Sequence, residues 1–314
     1  MELHLDHESF NQLITLTANY VGIPETAVKR DYYIVMLLQN LQNSIHADNC
    51  VFKGGTSLSK CYPGSINRFS EDIDLTYIPQ EDLTPKKYKR ILKDVELTII
   101  GSAFYEKIDS ERNDRNKSSY VWFDEEDKEE SRIKLEIGSN IRPDPYQKKS
   151  LTTYIHQYLF ENDMQHIINE FNLKEVSINT LCIERTFLDK VFSVKRHAIC
   201  GSLKEKVRHI YDVTRLFPMD IVKEFLSEKN ELSDLIKKTK ETDSFYLEKR
   251  NTSKDYNPLE LYSFRKWNEN FNSDIRLRYE SLHNYLLYTS EKQDFDIAIE
   301  TFNKISDLFE ELGE

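Results

Sequence analysis

The apolar and polar positions change period several times along the chain. Between Glu8 and Tyr20 and between Glu25 and Leu41 they follow a helical repeat, interrupted by Gly22-Ile23-Pro24. In the second stretch Val28, Tyr32, Val35 and Leu38 share one face. Cys50-Val51-Phe52 is a short apolar run that predicts a strand, and Lys53-Gly54-Gly55-Thr56-Ser57 predicts a turn feeding a helix. From Glu71 to Tyr77 the period becomes two: Ile73, Leu75 and Tyr77 face a core, while Asp72, Asp74 and Thr76 share the opposite face. Thr84-Pro85 caps and opens a further helix with Tyr88, Ile91, Leu92 and Val95 inward. Phe104 to Ile108, Ser119 to Phe123 and Arg132 to Gly138 then read as a three-stranded meander.

Beyond Pro143 and Pro145 the pattern is mostly helical. Leu151 to Leu159 and Met164 to Phe171 predict helices, with a short strand at Val176 to Leu181. Glu184 to Ala198 carries an apolar stripe of Phe187, Val191, Val194 and Ala198 and stops at Gly201. Lys204 to Phe217 is another helix, and helices from about Met219 to Glu248 and from Leu259 to the end are expected to complete the chain. The expected division is a mixed α+β domain over residues 1–178 and a helical domain over 179–314.

The chemistry concentrates between Phe52 and Tyr77. Asp72 and Asp74 stand roughly 7 Å apart along one strand face. Like charges held that close repel unless a cation sits between them. Mg²⁺ takes oxygen ligands and typically binds one or two carboxylates together with substrate phosphates. Gly54 and Gly55 allow close backbone approach, and the helix N-terminus after them offers N–H groups to an anion. A phosphate cradle beside an Asp-x-Asp strand is the equipment of nucleotidyl or phosphoryl transfer. Arg132 to Ile137 also alternates, placing Lys134 and Glu136 on one face. Glu136 is either a third metal ligand from a neighbouring strand or half of a Lys–Glu pair.

Charge changes this picture only locally. The net charge of −11 argues against a general nucleic-acid coat protein. Basic clusters at Lys86 to Arg90, Lys148-Lys149, Lys204 to Arg208 and Lys237 to Lys240 are either solvated faces or phosphate contacts. Cys50, Cys61, Cys182 and Cys200 lack metal-type spacing and read as reduced structural thiols. No apolar run has membrane-spanning length and the start, MELHLDHESF, is acidic, so a cytoplasmic location without membrane contact is expected.

The order GGTSL, a linker over Ser59 to Asn67, then RFSEDIDL resembles the first motif of the AbiEii/AbiGii-type nucleotidyltransferases. These belong to the polymerase-β-like nucleotidyltransferase superfamily and are toxins of bacterial toxin–antitoxin, abortive-infection and phage-defence systems. LDKVFSVKRHA resembles the family's second motif and RHIYDVTRLF its next, so that the likeness spans about residues 28 to 217. It implies an α+β, polymerase-β-like domain with a mixed sheet, followed by a helical domain closing the active-site cleft. It implies Asp72, Asp74, Lys190 and Asp212 as catalytic residues, and Asp72, Asp74 and Glu136 as ligands to one or two Mg²⁺ ions. Lys53, Gly54, Gly55, Thr56, Ser57, Arg68 and Lys190 would bind the NTP. Lys190 read alone is a solvated helical lysine, and Asp212 an i,i+4 partner of Arg208. The acceptor implied is the 3′ end of tRNA, with a cognate antitoxin as partner. Nucleotidylation of a protein, or a silent nucleotide-binding module, are the alternative readings.

Overall fold

The computed structural model describes residues 2–79, 83–125, 128–139, 142–247 and 256–314. Packing divides the chain into two units, Met1–Cys61 with Phe69–Leu181, and Tyr62–Arg68 with Cys182–Glu314. The break after Leu181 falls a little beyond residue 178, because Val176–Leu181 is a strand of the first unit's sheet.

That sheet has seven strands: β1 (Cys50–Lys53), β2 (Asp72–Tyr77), β3 (Phe104–Lys107), β4 (Asn116–Trp122), β5 (Ile133–Gly138), β6 (Tyr146–Leu151) and β7 (Val176–Leu181). Their order is β3-β4-β5-β2-β1-β7-β6. It is a mixed sheet, in which β2 runs parallel to β5 and β1 to β7. The central strands are buried as their alternation dictates: Ile73, Leu75, Ile133, Leu135 and Ile137 are inaccessible or nearly so. The meander β3-β4-β5 forms as the pattern predicts. Sequence reasoning missed β6. Four of its six residues, YQKKSL, are exposed and only Leu151 is buried, so no alternation marks an edge strand whose lysines discourage further pairing.

Helices α1 (His7–Val21), α2 (Glu25–Gln42), α3 (Gly54–Cys61), α4 (Pro85–Ile100), α5 (Lys128–Ser131), α6 (Tyr154–Glu161) and α7 (Gln165–Glu170) complete the unit. Thr84 caps α4 as expected, its hydroxyl accepting from Lys87 N–H. α2 packs on α1, α4, α6 and β7. The buried pair of Lys60 Nζ with Asp31, at 2.5 Å, ties α3 to α2. Asp31 also accepts the Tyr154 N–H at 2.7 Å, which anchors α6 to the same point.

The second unit contains α8 (Ile183–Ile199), α9 (Val207–Leu216), α10 (Asp220–Ser227), α11 (Lys229–Leu247), α12 (Ser273–Glu280) and α13 (Phe295–Glu311). α8 packs against α9, and α9 against α12 and α13. The expected end of a helix at Glu248 lies outside the described residues. A continuous helical tail from Leu259 does not form: 259–263 is irregular and two 3₁₀ turns follow before α12. The aromatics there build a core instead, with Phe264 edge-on to Trp267 at 4.7 Å and Phe271 against Phe302 at 5.3 Å. Residues 62–68, though preceding β2 in sequence, are bound here. Tyr288 N–H donates to Asn67 C=O at 3.1 Å, and Arg68 bridges Leu287. Among the described residues no helix is long and apolar enough to cross a membrane. No disulfide links the four cysteines. Burial pushes the Cys50 thiol up to about 12 and that of Cys61 to about 11, as befits inert core thiols.

Candidate active site

Within the first unit, strand register decides which side chains meet. Lys53 on β1 stands opposite Asp74 on β2, and Asp74 stands opposite Glu136 on β5. One residue pair along, Asp72 faces Lys134. Aligned residues of neighbouring strands share a face, so Lys53, Asp72, Asp74, Lys134 and Glu136 form one charged surface on three strands. Asp72 and Asp74 are both half-buried. Glu71, just before them, is drawn away to Arg30 of α2.

Gly54 closes one side of this surface. Its φ is +86°, and a Cβ placed on it would lie 2.5 Å from Asp74 Oδ2. Both constraints demand glycine: the left-handed backbone and the approach to the carboxylate. Gly54→Ala is therefore expected to displace Asp74, lowering activity about a hundredfold with a stability loss of about 1–2 kcal/mol. Steady-state kinetics beside thermal denaturation would check it; unchanged kinetics would refute the steric argument.

The other glycine-turn residues are engaged within the protein. Thr56 is buried, and its hydroxyl lies 2.5 Å from Asp72 C=O and 3.0 Å from Ser70 Oγ, latching α3 to the start of β2. Ser57 Oγ, fully buried, donates to Gly54 C=O at 3.0 Å. Gly55 and Lys53 are half-buried beside them.

Lys134 is a neighbour that sequence reasoning had treated only as a possible partner of Glu136. Its Nζ lies 2.5 Å from Glu136 Oε1 and 2.8 Å from Glu111 Oε2. Burial alone would lower its pKa, but the two carboxylates outweigh this and raise it, so it stays charged. The pairing alternative for Glu136 is thus realised, while register keeps Glu136 beside Asp74. Among the described residues no three His, Cys, Asp or Glu side chains are gathered closely enough to hold a metal ion. The donor set itself suits a hard cation, with carboxylate oxygens on adjacent strands and Gly54 leaving the Asp74 carboxylate the space a Cβ would take.

Arg68, Lys190 and Asp212 lie in the second unit, where they meet. Arg68 Nε and Nη2 donate to the two Asp212 carboxylate oxygens at 2.6 and 2.8 Å, a bidentate pair. Lys190 Nζ approaches Asp212 Oδ2 at 2.7 Å. All three are buried, Asp212 completely. Asp212 is therefore no surface partner for Arg208, and Lys190 is no solvated helical lysine. Burial works to raise the Asp212 pKa, yet the charges of Arg68 and Lys190 overcome it and hold the carboxyl at about 2. Lys190 is shifted down, first by burial, against the pull of Asp212. His209, half-buried on α9 with Nδ1 3.1 Å from Ser193 Oγ, has its pKa pushed well below the usual imidazole range, first by desolvation and then by the nearby cations.

The family model described as "Nucleotidyl transferase AbiEii toxin, Type IV TA system" matches residues 36–301. Among solved structures, MenT4, a nucleotidyltransferase toxin from Mycobacterium tuberculosis H37Rv, superposes with a TM-score of 0.58 at 17% identity. That match covers 95% of this chain and 89% of the other. A putative nucleotidyltransferase from H. pylori gives a TM-score of 0.38 at 18% identity, over 83% of this chain and 98% of the other. No curated protein matches the chain.

Proposed function

Since the chain belongs to the AbiEii nucleotidyltransferase toxin family of type IV toxin–antitoxin systems, we propose that it moves a nucleoside monophosphate from an NTP to the 3′ end of tRNA. It is a nucleotidyltransferase and the toxin of a toxin–antitoxin pair, so a cognate antitoxin is its partner. The finer reading is that the transfer depends on Mg²⁺, blocks translation in the cytoplasm and serves phage defence.

The observation that carries the site is the row Lys53–Asp74–Glu136 across three strands, with Gly54 set against the Asp74 carboxylate. Asp72 and Asp74 would hold the divalent ion, and Glu136 would join them on leaving Lys134. When bound, one or two such ions lower the pKa of an attacking hydroxyl and neutralise charge on the leaving pyrophosphate. Lys134, paired with Glu136 and Glu111, would hold Glu136 until then. Backbone N–H groups at the N-terminus of α3 would meet phosphate oxygens. Thr56 fixes the start of β2 and thereby the direction of Asp72.

Lys190 and Arg68 meet at the Asp212 carboxylate, which would hold both cations in place for a triphosphate. With its proton held off down to about pH 2, Asp212 would act here by orienting those cations rather than as a general base.

Purified protein incubated with Mg²⁺, total tRNA and each α-labelled NTP in turn tests the reading. Label on tRNA with one of the NTPs is expected. Label confined to a protein band would replace tRNA by a protein acceptor. No label anywhere would overturn the assigned transfer.

A further inference from the structure

Away from the carboxylate row, the first unit has a concavity of about 340 Å³ lined by Lys89, Lys93, Lys107, Arg112 and Lys117. Lys89 and Lys93 lie one turn apart on α4, Lys107 ends β3, and Arg112 and Lys117 come from the β3–β4 connection and the start of β4. Five cations therefore face two carboxylates, Asp109 and Asp114, in a protein whose net charge is −11.

The cations differ in how far they are already neutralised. Arg112 is bound to Glu96 of α4, with both guanidinium Nη atoms on the carboxylate at 2.5 and 2.7 Å. Lys89 reaches Asp114 only at 3.9 Å, and both are exposed. Among the described residues Lys93 and Lys107 have no ion-pair partner. Lys117 is the most telling. It is 5% exposed, and its Nζ donates only to main-chain oxygens, those of Asn113 and of Asn116, the latter at 3.2 Å. A buried ammonium with carbonyl partners and no carboxylate in direct contact is only partly compensated, by Glu96 and Asp114 at longer range, at the base of the concavity. Burial, followed by the Arg112 charge, lowers its pKa, which is the unfavourable state that an incoming anion would relieve.

We propose that this concavity is a phosphate-binding site for the backbone of an RNA strand, with Lys89, Lys93 and Lys107 at its rim and Lys117 at its base. Charge complementarity selects the occupant: a polyanion gains at an excess of cations where an overall acidic surface repels it elsewhere. The helix supplying Lys89 and Lys93 continues the basic run from Lys86, so successive phosphates would find further cations along it. The 109–115 connection also links the concavity to the carboxylate row, because Glu111 is bound to Lys134. A strand held here lies one loop from Glu136. The site rests on the transferase reading only for the identity of its occupant.

The test is binding of fluorescein-labelled tRNA to the full chain, followed by anisotropy over a range of salt. Lys93→Gln combined with Lys107→Gln is expected to weaken binding about tenfold near ~0.1 M salt and to flatten the slope of log K against log salt by about 1.5–2. NTP binding should be unchanged in that variant. Lys237→Gln combined with Lys238→Gln, which removes the same charge from α11, should have a smaller effect. Equal losses in the two variants, no loss in the first, or no tRNA binding by the parent protein at low salt would each overturn the site. Label transfer by the parent protein, measured alongside, separates the two readings. Transfer with RNA affinity insensitive to Lys93 and Lys107 removes this site alone. Absence of transfer with the expected loss of affinity removes the transferase reading and leaves the site standing.

Discussion

Asparagine in place of Asp74 is expected to lower nucleotidyl transfer by about a thousandfold or more and to leave the fold intact. The substitution keeps the shape of the side chain, so Gly54 still packs against it and β2 keeps its register with β1 and β5. What changes is one negative charge at the centre of the Lys53–Asp74–Glu136 row. A hard cation held by two carboxylates loses half of that charge, and metal stabilisation of a phosphoryl transition state is worth several kcal/mol, or about 10³ in rate. Stability should not fall, since Asp72 and Asp74 are like charges on one strand face and removing either relieves their repulsion. The measurement is kcat/KM for label transfer, with thermal denaturation of both proteins and a titration of Mg²⁺. A variant within about tenfold of the parent would remove Asp74 from the site, whatever its melting temperature.

The carboxylate row was legible in the sequence because it depends on local rules. Alternation in Glu71 to Tyr77 and in Arg132 to Ile137 sets which side chains share a face, and a strand's period of two leaves little freedom once one face is apolar. The glycine turn was legible for a similar reason, since its helix begins at Gly54 itself. Lys134 was visible as a residue but its grip on Glu111 was not, because Glu111 arrives from a connection with no periodicity. The Arg68–Asp212 pair was out of reach, as it joins residues from two separate motifs through tertiary packing alone. The three residues had been assigned without reference to one another, Arg68 and Lys190 to the NTP and Lys190 and Asp212 to catalysis. Burial and pairing are properties of the fold, and single-chain spacing carries neither. The aromatic segment from Leu259 shows the same limit: Phe264, Trp267 and Phe271 pack edge to face without a helical repeat to announce them.

Removing the Asp212 carboxylate should be the most damaging single change to the second unit. Asp212→Ala takes from the buried Arg68 and Lys190 the carboxylate they share, and breaking a buried pair in this way typically costs about 3–5 kcal/mol. The loss has a local component, because Arg68 belongs to the 62–68 segment that this bidentate pair pins to α9. Asn in its place offers one acceptor oxygen and no charge, so it should recover only part of the stability. The pH dependence follows from the depressed carboxyl. A group held at about 2 in the folded chain and near 3.9 when unfolded contributes fully above about pH 4, and the contribution is lost as pH falls through 4 toward 2. The stability gap between parent and Asp212→Ala, measured by urea unfolding, should therefore narrow as pH falls from about 5 toward 2. A gap unchanged over that range would mean that another group, and not this carboxylate, controls the cluster. Double substitution supplies the sharper test: Lys190→Met should restore part of the stability lost in Asp212→Ala, because it takes away one of the stranded cations. Losses that simply add would show that Lys190 and Asp212 are not coupled.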